Sequence, residues 1–462
     1  MSTSNTTPMD QFDAQVAAEL REKRKNKIAS SLAKRHRTEK AFRFFGFSSV
    51  IAGLCFVALL FGSILYKGLP AFWQASMSVP VFFDPTVIKV GAKPVPATGE
   101  APAHYEERLI AWQTEVGMVD WDALIVNGLV AKDASLAQKR DELSSLYTSS
   151  EAYRLRDMVM ADPSLIGQKK DIKILADANV DVWLAGNIDR SLPDDQQQVS
   201  ADVRQLADDM KAKGIIENTI NSNIFFSPDS RSSPATSGLA GAFMGSLFMM
   251  MIVIFISIPI GVASAIYLEE FAPKNFITDV IEVNINNLAA VPSIVFGLLG
   301  ASIFIGWMHL PLSAPFVGGL VLSLMTLPTV IITTRASLKA VPPSIRQAAL
   351  GLGASRLQTV FHHVLPLALP GILTGAIIGV AQALGETAPL LLIVMSAFVA
   401  SVPATPFDQS TALPVQIFLW QGNELRNFFE GRTAAAIIVL LALMISLNGL
   451  AIWLRKKFEV RW

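Results

Sequence analysis

A carboxylate in the middle of an apolar run is the first feature of this sequence that could do chemistry. Glu386 lies inside the run 371–399. An ionisable group at that depth in a membrane helix is costly unless it is paired. Glu386 therefore reads as a gate or counter-ion, either protonated or paired with an Arg or Lys. Gln382 is one turn earlier on the same face and could share its hydrogen bond. A second apolar run, 285–305, carries Ser293 and is entered through Asn284, Asn286 and Asn287. Neutral donors of this kind suit an anion path, because weak sites let the ion leave; they serve equally well to join helices. Arg335 closes another apolar run, either as a topology marker or as a last electropositive step. The pair His362 and His363 has no further His, Cys or carboxylate beside it and makes a poor metal site, so we read it as interfacial. No Gly-x-x-x-x-Gly-Lys-Ser/Thr occurs, which excludes an ATPase in its own right. No cofactor or metal is expected, and the chain is not read as an enzyme.

The elements that must position these residues follow from hydropathy. Of 462 residues, 52% are hydrophobic and only 16% charged, with mean hydropathy +0.43; a soluble protein of this size carries more charge. Six runs reach the roughly 20 residues needed to cross a hydrocarbon core: 44–66, 238–268, 285–305, 314–334, 371–399 and 433–454. Pro259, Pro292, Pro328 and Pro389 interrupt four of them, freeing carbonyls that need protein or water around them. Gly371, Gly375 and Gly379 share one face, which permits close helix contact.

Charge sets the expected orientation. The arm 1–43 carries Arg21, Lys23, Arg24, Lys25, Lys27, Lys34, Arg35, Arg37 and Lys40, and the tail begins Arg455, Lys456, Lys457. With six crossings, the arm, the basic 335–356 stretch and the tail fall on one side, the cytosol. The lone Cys55 permits no disulfide. The long basic arm and a spanning-length apolar run argue against a cleavable signal peptide.

Residues 67–236, between the first two spans, then lie outside. They hold about 24 of the 38 acidic residues against roughly 17 Lys and Arg, an acidity read as a solvated surface. The stretch is too long for a loop and is read as a small α-rich or α+β domain. It opens with a Pro-rich linker (Pro80, Pro85, Pro94, Pro96, Pro102), with helical patterns at 104–115, 135–160 and 194–213. A short extended candidate at 171–174 precedes 180–184. The remainder, 237–455, is the main transmembrane unit, followed by the tail 456–462. The fold class is thus an all-α polytopic membrane protein of six spans with one inserted extracytoplasmic domain.

The strongest signal lies in the loop 335–369, which reads Ser344-Ile-Arg-Gln347-Ala348-Ala349-Leu-Gly-Leu-Gly353-Ala-Ser355-Arg-Leu-Gln358-Thr-Val-Phe-His362-His363-Val-Leu365-Pro366. Ser344 and Gln347, and again Ser355 and Gln358, have capping-box spacing, and Gly353 stands where a helix end needs a left-handed residue. The small Ala348 and Ala349 leave a smooth face. This loop resembles the docking loop of ABC-importer permeases, which runs Glu-Ala-Ala, three residues, Gly, nine residues, Ile-x-Leu-Pro. Gln347, Ala348, Ala349, Gly353, Leu365 and Pro366 fall on that spacing, with Gln347 in place of the Glu and His363 in place of a branched aliphatic.

The resemblance narrows to permeases of phosphate importers. It is carried by Ala263-Ser-Ala-Ile-Tyr-Leu-Glu-Glu270, Ala290-Val-Pro292-Ser-Ile-Val-Phe-Gly297 and Gly385-Glu386-Thr387-Ala-Pro389-Leu-Leu, and covers about residues 225–457. Many such permeases carry Arg at the turn of Gln382. The inserted domain is similar to an extra domain found in only some of them. The resemblance implies an importer of inorganic phosphate in a bacterial inner membrane, with both termini cytosolic. Its partners would be a second, similar permease subunit, a dimer of ATPase subunits that receives the loop, an extracytoplasmic phosphate-binding protein and the lipid bilayer, with no nucleic acid. Another oxyanion (sulfate, molybdate, tungstate) is the alternative cargo, and a membrane sensor using the outer domain the alternative function.

Overall fold

The first helix, Pro8–Gly68, is 61 residues long and joins the basic arm to the first apolar run without a break. The arm is rich in Ala, Leu, Lys, Arg and Glu, all strong helix formers, and holds no Gly or Pro from residue 9 to residue 45. The computed structural model describes residues 8–395, 399 and 401–458. The expectations for 1–7, for 396–398 and 400 in the fifth run, and for 459–462 of the tail lie outside the described residues. Two compact units divide the chain, Met1–Ile64 and Leu65–Trp462.

The inserted domain is built on a three-stranded antiparallel sheet of order β2-β1-β3, with β1 Trp73–Phe82, β2 Lys169–Leu175 and β3 Ile216–Ile220. Ala75, Met77, Val79, Val81 and Phe83 are all fully buried, the period-2 signature of one covered face. Helices Pro102–Gly117, Trp121–Lys132, Ser150–Ala161, Ala178–Ala185 and Ala201–Ala212 contribute much of the rest of that core. The domain is α+β, and three details differ from the sequence reading. First, β1 occupies part of the expected Pro-rich linker. Pro80 is tolerated because β3 pairs only with Trp73–Met77, so beyond Met77 that side of β1 is an open edge. Residues of odd number bond toward β2, as at Phe83, so the N–H that Pro80 lacks would point to the open side. Second, the helix expected over 135–160 breaks into Ala134–Gln138, Arg140–Leu143 and Ser150–Ala161. The break is rich in Ser and Thr, which bond their own backbone, and Thr148 N–H donates instead to the Leu175 carbonyl at 3.2 Å. Third, of 194–213 only Ala201–Ala212 is α-helical, while helix Trp121–Lys132 was missed. That segment is apolar on several sides, which hides its helical period; Asp120 caps it by accepting from the Ala123 N–H at 3.0 Å.

Among the described residues, five helices are long and apolar enough to cross a membrane, or six when the bent pair Phe276–Ala289 and Ser293–Trp307 counts as one span. The others, besides the first, are Ala240–Ile266, Pro315–Lys339, Leu365–Gly385 and Arg426–Phe458. The third span therefore starts before residue 285 and turns by 102° around Pro292. The fifth is displaced toward the N-terminus: it ends at Gly385, and a short helix Ala388–Leu392 follows. Glu386 takes extended backbone (φ −78, ψ 127), and Pro389 supplies no N–H to carry the ladder on. Gly371, Gly375 and Gly379 face Ser337, Thr333 and Thr326 of Pro315–Lys339, where an added Cβ would come within 2.4, 2.0 and 2.7 Å of those side chains. The glycines let the side chains of one helix seat directly against the backbone of the other.

A buried arginine joins the inserted domain to the last span. Arg432, 3% exposed, donates to the carbonyls of Ser237 and Ala235 and to Gln74 Oε1 of β1. Near it, Asp181 on helix Ala178–Ala185 accepts from the Ala75 N–H at 2.8 Å. Burial pushes the Asp181 pKa up to about 6, against the lowering pull of that N–H and of Arg432. A carboxyl raised in the folded state contributes stability that is present at acid pH and lost as pH rises through about 6. Asp181→Asn keeps the acceptor and removes the charge. We expect its melting temperature in detergent to fall less than that of the parent between pH 4 and 7; parallel curves would refute this.

Candidate docking loop and translocation site

The loop after helix Pro315–Lys339 is shaped by its prolines. Helix Pro343–Gly351 starts with Pro343, whose fixed φ suits a first helical position. Ser344 is therefore already inside the helix, and the Ser344–Gln347 capping box does not form. The second box does: Ser355 accepts from the Gln358 N–H at 3.2 Å, and Gln358 Oε1 accepts from the Ser355 N–H at 2.9 Å. Gly353 between them has φ +88, which only glycine adopts without strain. The chain then passes through a wide π-type turn, Thr359–Val364, directly into the fifth span, with Leu365 and Pro366 half-buried in its first turn.

The tip of the loop projects. Gln347, Ala348 and Gly353 are exposed and Ala349 is buried. Leu352 is 90% exposed, with Leu350 and Leu357 also open. Exposed leucines around small residues make a surface suited to a close partner.

A charge cluster that sequence reading missed holds this knob. Arg346 donates to Glu270 at 2.6 Å and to the carbonyls of Val341 and Leu338, each at 2.8 Å. Glu270 lies on the wide turn Tyr267–Phe271 that ends helix Ala240–Ile266. Arg335 pairs with Glu282 at 2.6 Å and Glu269 at 3.3 Å, and Lys339 reaches Glu269 at 3.5 Å. Three cations thus meet three carboxylates where four helices come together. Arg335 is 14% exposed and doubly paired, so its charge does not stand open to an anion. The signal for the cluster was present in Glu269-Glu270 and in the basic loop, but nothing local says which charges meet.

Arg346→Ala would leave Glu270 without its fork-shaped partner. Breaking a fully buried pair costs about 3–5 kcal/mol, and the partial exposure of Arg346 reduces this to about 1–2 kcal/mol. We expect the loop to loosen, with faster tryptic cleavage at Arg356 and less uptake per ATP. Unchanged cleavage would argue against the latch.

The candidate path residues divide into two groups. Glu386 and Thr387 are half-buried at the end of the fifth span. Ser293, also half-buried, opens the helix after the Pro292 bend. These two breaks meet: a Cβ on Gly297 would come 2.6 Å from Pro389 Cα. Asn287 is exposed before the bend, on the helix whose Glu282 holds Arg335. Gln382 is exposed, and no hydrogen bond joins it to Glu386 among the described residues. The expected shared bond is absent because the helix ends at Gly385 and Glu386 leaves the helical face.

Sequence comparison adds the decisive observation. The family described as "Binding-protein-dependent transport system inner membrane component" matches residues 257–460. The phosphate transport system permease protein PstA of Mycobacterium leprae is 33% identical over 216 residues, 46% of this chain and 70% of that protein. The chain belongs to the ABC-importer permease family. PstA of Yersinia pestis is likewise 33% identical to this permease, over 48% of the chain and 75% of its own length. The probable ABC transporter permease protein YqgI of Bacillus subtilis is 34% identical, but the permease spans only 56% of it. Residues 29–194 match a "Domain of unknown function (DUF3333)". Among solved structures, the MetNI methionine ABC transporter aligns with 47% of this permease and 94% of its own chain, at 18% identity and a TM-score of 0.36, too slight a likeness to weigh. The chain is a multi-pass membrane permease subunit of an ABC importer.

Proposed function

We propose that this permease carries inorganic phosphate into the cytosol. The observation that supports the substrate is the 31–33% identity to several PstA proteins across the spans and the loop. The loop 335–369 docks on one subunit of a PstB-like ATPase dimer. The other half of the pore is a PstC-like permease, and a PstS-like protein delivers the anion. In this reading the termini are cytosolic in a bacterial inner membrane and residues 67–236 face outward. The test is competition in proteoliposomes holding all four components: unlabelled phosphate suppresses ATP-driven uptake of labelled phosphate, and sulfate, molybdate and tungstate do not. Suppression by one of those three would reassign the cargo. Saturable uptake with this chain and the ATPase alone would remove the heterodimeric pore.

Glu386 acts here as a gate or counter-ion where two helix breaks meet, with Thr387, Gln382, Asn287 and Ser293 along the path and Arg335 fixing its cytosolic end. Glu386→Gln keeps shape and most hydrogen bonds. We expect uptake to fall at least tenfold, or ATP hydrolysis to run without uptake, in complexes that still assemble. Coupled uptake at the parent rate across the physiological pH range would remove Glu386 from the site.

A further inference from the structure

The inserted domain contains a polar cavity of about 400 Å³ that the transport reading does not use. Its walls are helix Ser150–Ala161, the ends of all three strands, and the segment that follows β3 toward helix Ala240–Ile266. Three side chains there do not explain one another. Asn221 is 3% exposed; its Oδ1 accepts from the Asn223 N–H at 3.1 Å, and its Nδ2 has no partner. A buried amide donor without an acceptor is rare in folded proteins and calls for an explanation. Lys173 has no carboxylate within ion-pairing distance among the described residues, and instead lies near Arg154. Desolvation, and then the charge of Arg154, hold its pKa below the usual lysine value.

The acids that line the cavity do not answer this charge. Glu151 is buried: Oε1 accepts from the Leu175 N–H at 3.2 Å, while Oε2 lies 2.5 Å from Arg154 as an ion pair without a hydrogen bond, so its charge is matched by Arg154 and not by Lys173. Asp157 is an open surface residue paired with Arg156 at 2.9 Å. Arg154 uses Nη2 for both Glu151 and the Lys173 carbonyl, and among the described residues Nη1 and Nε have no hydrogen-bond partner. The cavity is left with one uncompensated ammonium, a partly free guanidinium and a buried amide donor. That is a donor set for a small oxyanion, since charge-assisted bonds from Arg and Lys are the strong ones for such groups.

We propose that the inserted domain binds one free oxyanion of the phosphate class between Lys173, Arg154 and Asn221. The site is separate from the translocation path, so its occupancy does not depend on which anion the pore carries. It stands on the segment that leads into the first helix of the permease core.

The experiment is equilibrium binding of labelled inorganic phosphate to the full-length purified chain in zwitterionic-lipid nanodiscs, with no ATPase or binding protein present. We expect saturable binding of one phosphate per chain. Lys173→Gln should weaken it at least tenfold; Lys173 is exposed and unpaired, so this variant folds. Asn221→Asp keeps the acceptor for Asn223 but replaces the free donor with a repelling oxygen, and should abolish binding. No saturable binding, or binding unchanged in Lys173→Gln, overturns the proposal. Nanodiscs of anionic lipid separate the two sources of such a group: undiminished phosphate binding supports a free anion, and binding lost to the lipid overturns it in favour of a headgroup.

Discussion

We expect ATP-driven uptake to fall to background in the Ala348→Glu variant, while the chain still inserts and keeps its melting temperature. Ala348 is exposed on helix Pro343–Gly351, beside the buried Ala349 and the open Leu350 and Leu352. Its side chain is a single exposed methyl, so the fold tolerates the change. A docked partner does not: burying an unpaired carboxylate in an interface costs several kcal/mol, and 3 kcal/mol is more than a hundredfold in affinity. The checks are co-purification with the ATPase subunit and uptake in reconstituted vesicles. Retention of both at parental levels would mean that this face does not dock.

The second large effect is structural. Gly375→Val should remove the folded chain from the membrane fraction. Its Cβ would sit 2.0 Å from Thr333 Oγ1 and 2.4 Å from Thr333 Cβ. That hydroxyl is itself bonded to the Thr329 carbonyl at 2.7 Å, so it has nowhere to turn and the helices must separate. Overpacking a filled site costs about 1–3 kcal/mol when neighbours can shift; here they shift only by opening the whole ladder from Gly371 to Gly379. Gly449→Ala, where an added Cβ meets nothing within 4 Å, is the control. Equal amounts of folded protein from both variants would contradict the ladder.

These two cases show which parts of the fold were legible beforehand. The glycine ladder was, because a four-residue spacing is local and its consequence is steric. Span number was legible too, since hydropathy counts apolar residues. Span limits were not: apolar residues continue after Gly385, so composition ran the fifth span through a break that Gly385 and Pro389 were marking. Glu386 was therefore expected in mid-helix and stands instead at its end. Pro80 masked β1, because a proline in a strand is acceptable only when the far side is unpaired, and pairing is not a local property. The Arg346–Glu270 latch joins residues 76 apart, and neither neighbourhood names the other. The two-helix form of the loop, its Ser355–Gln358 box and its left-handed Gly353 were readable, although Pro343 moved the first cap off Ser344.

The central claim is that the Leu352 tip of the loop touches an ATPase subunit, on the opposite side of the membrane from the inserted domain. Cys55 is the single cysteine, so a Cys55→Ser background gives clean reporters. The direct measurement is thiol cross-linking in the assembled complex from Leu352→Cys, with Asp194→Cys on the inserted domain as the opposing reporter. Both positions are open to reagent, Leu352 at 90% and the Asp194 side chain at 76% exposure. The account predicts a cross-link to the ATPase subunit from Leu352→Cys and none from Asp194→Cys; a cross-link from Asp194→Cys alone would contradict it.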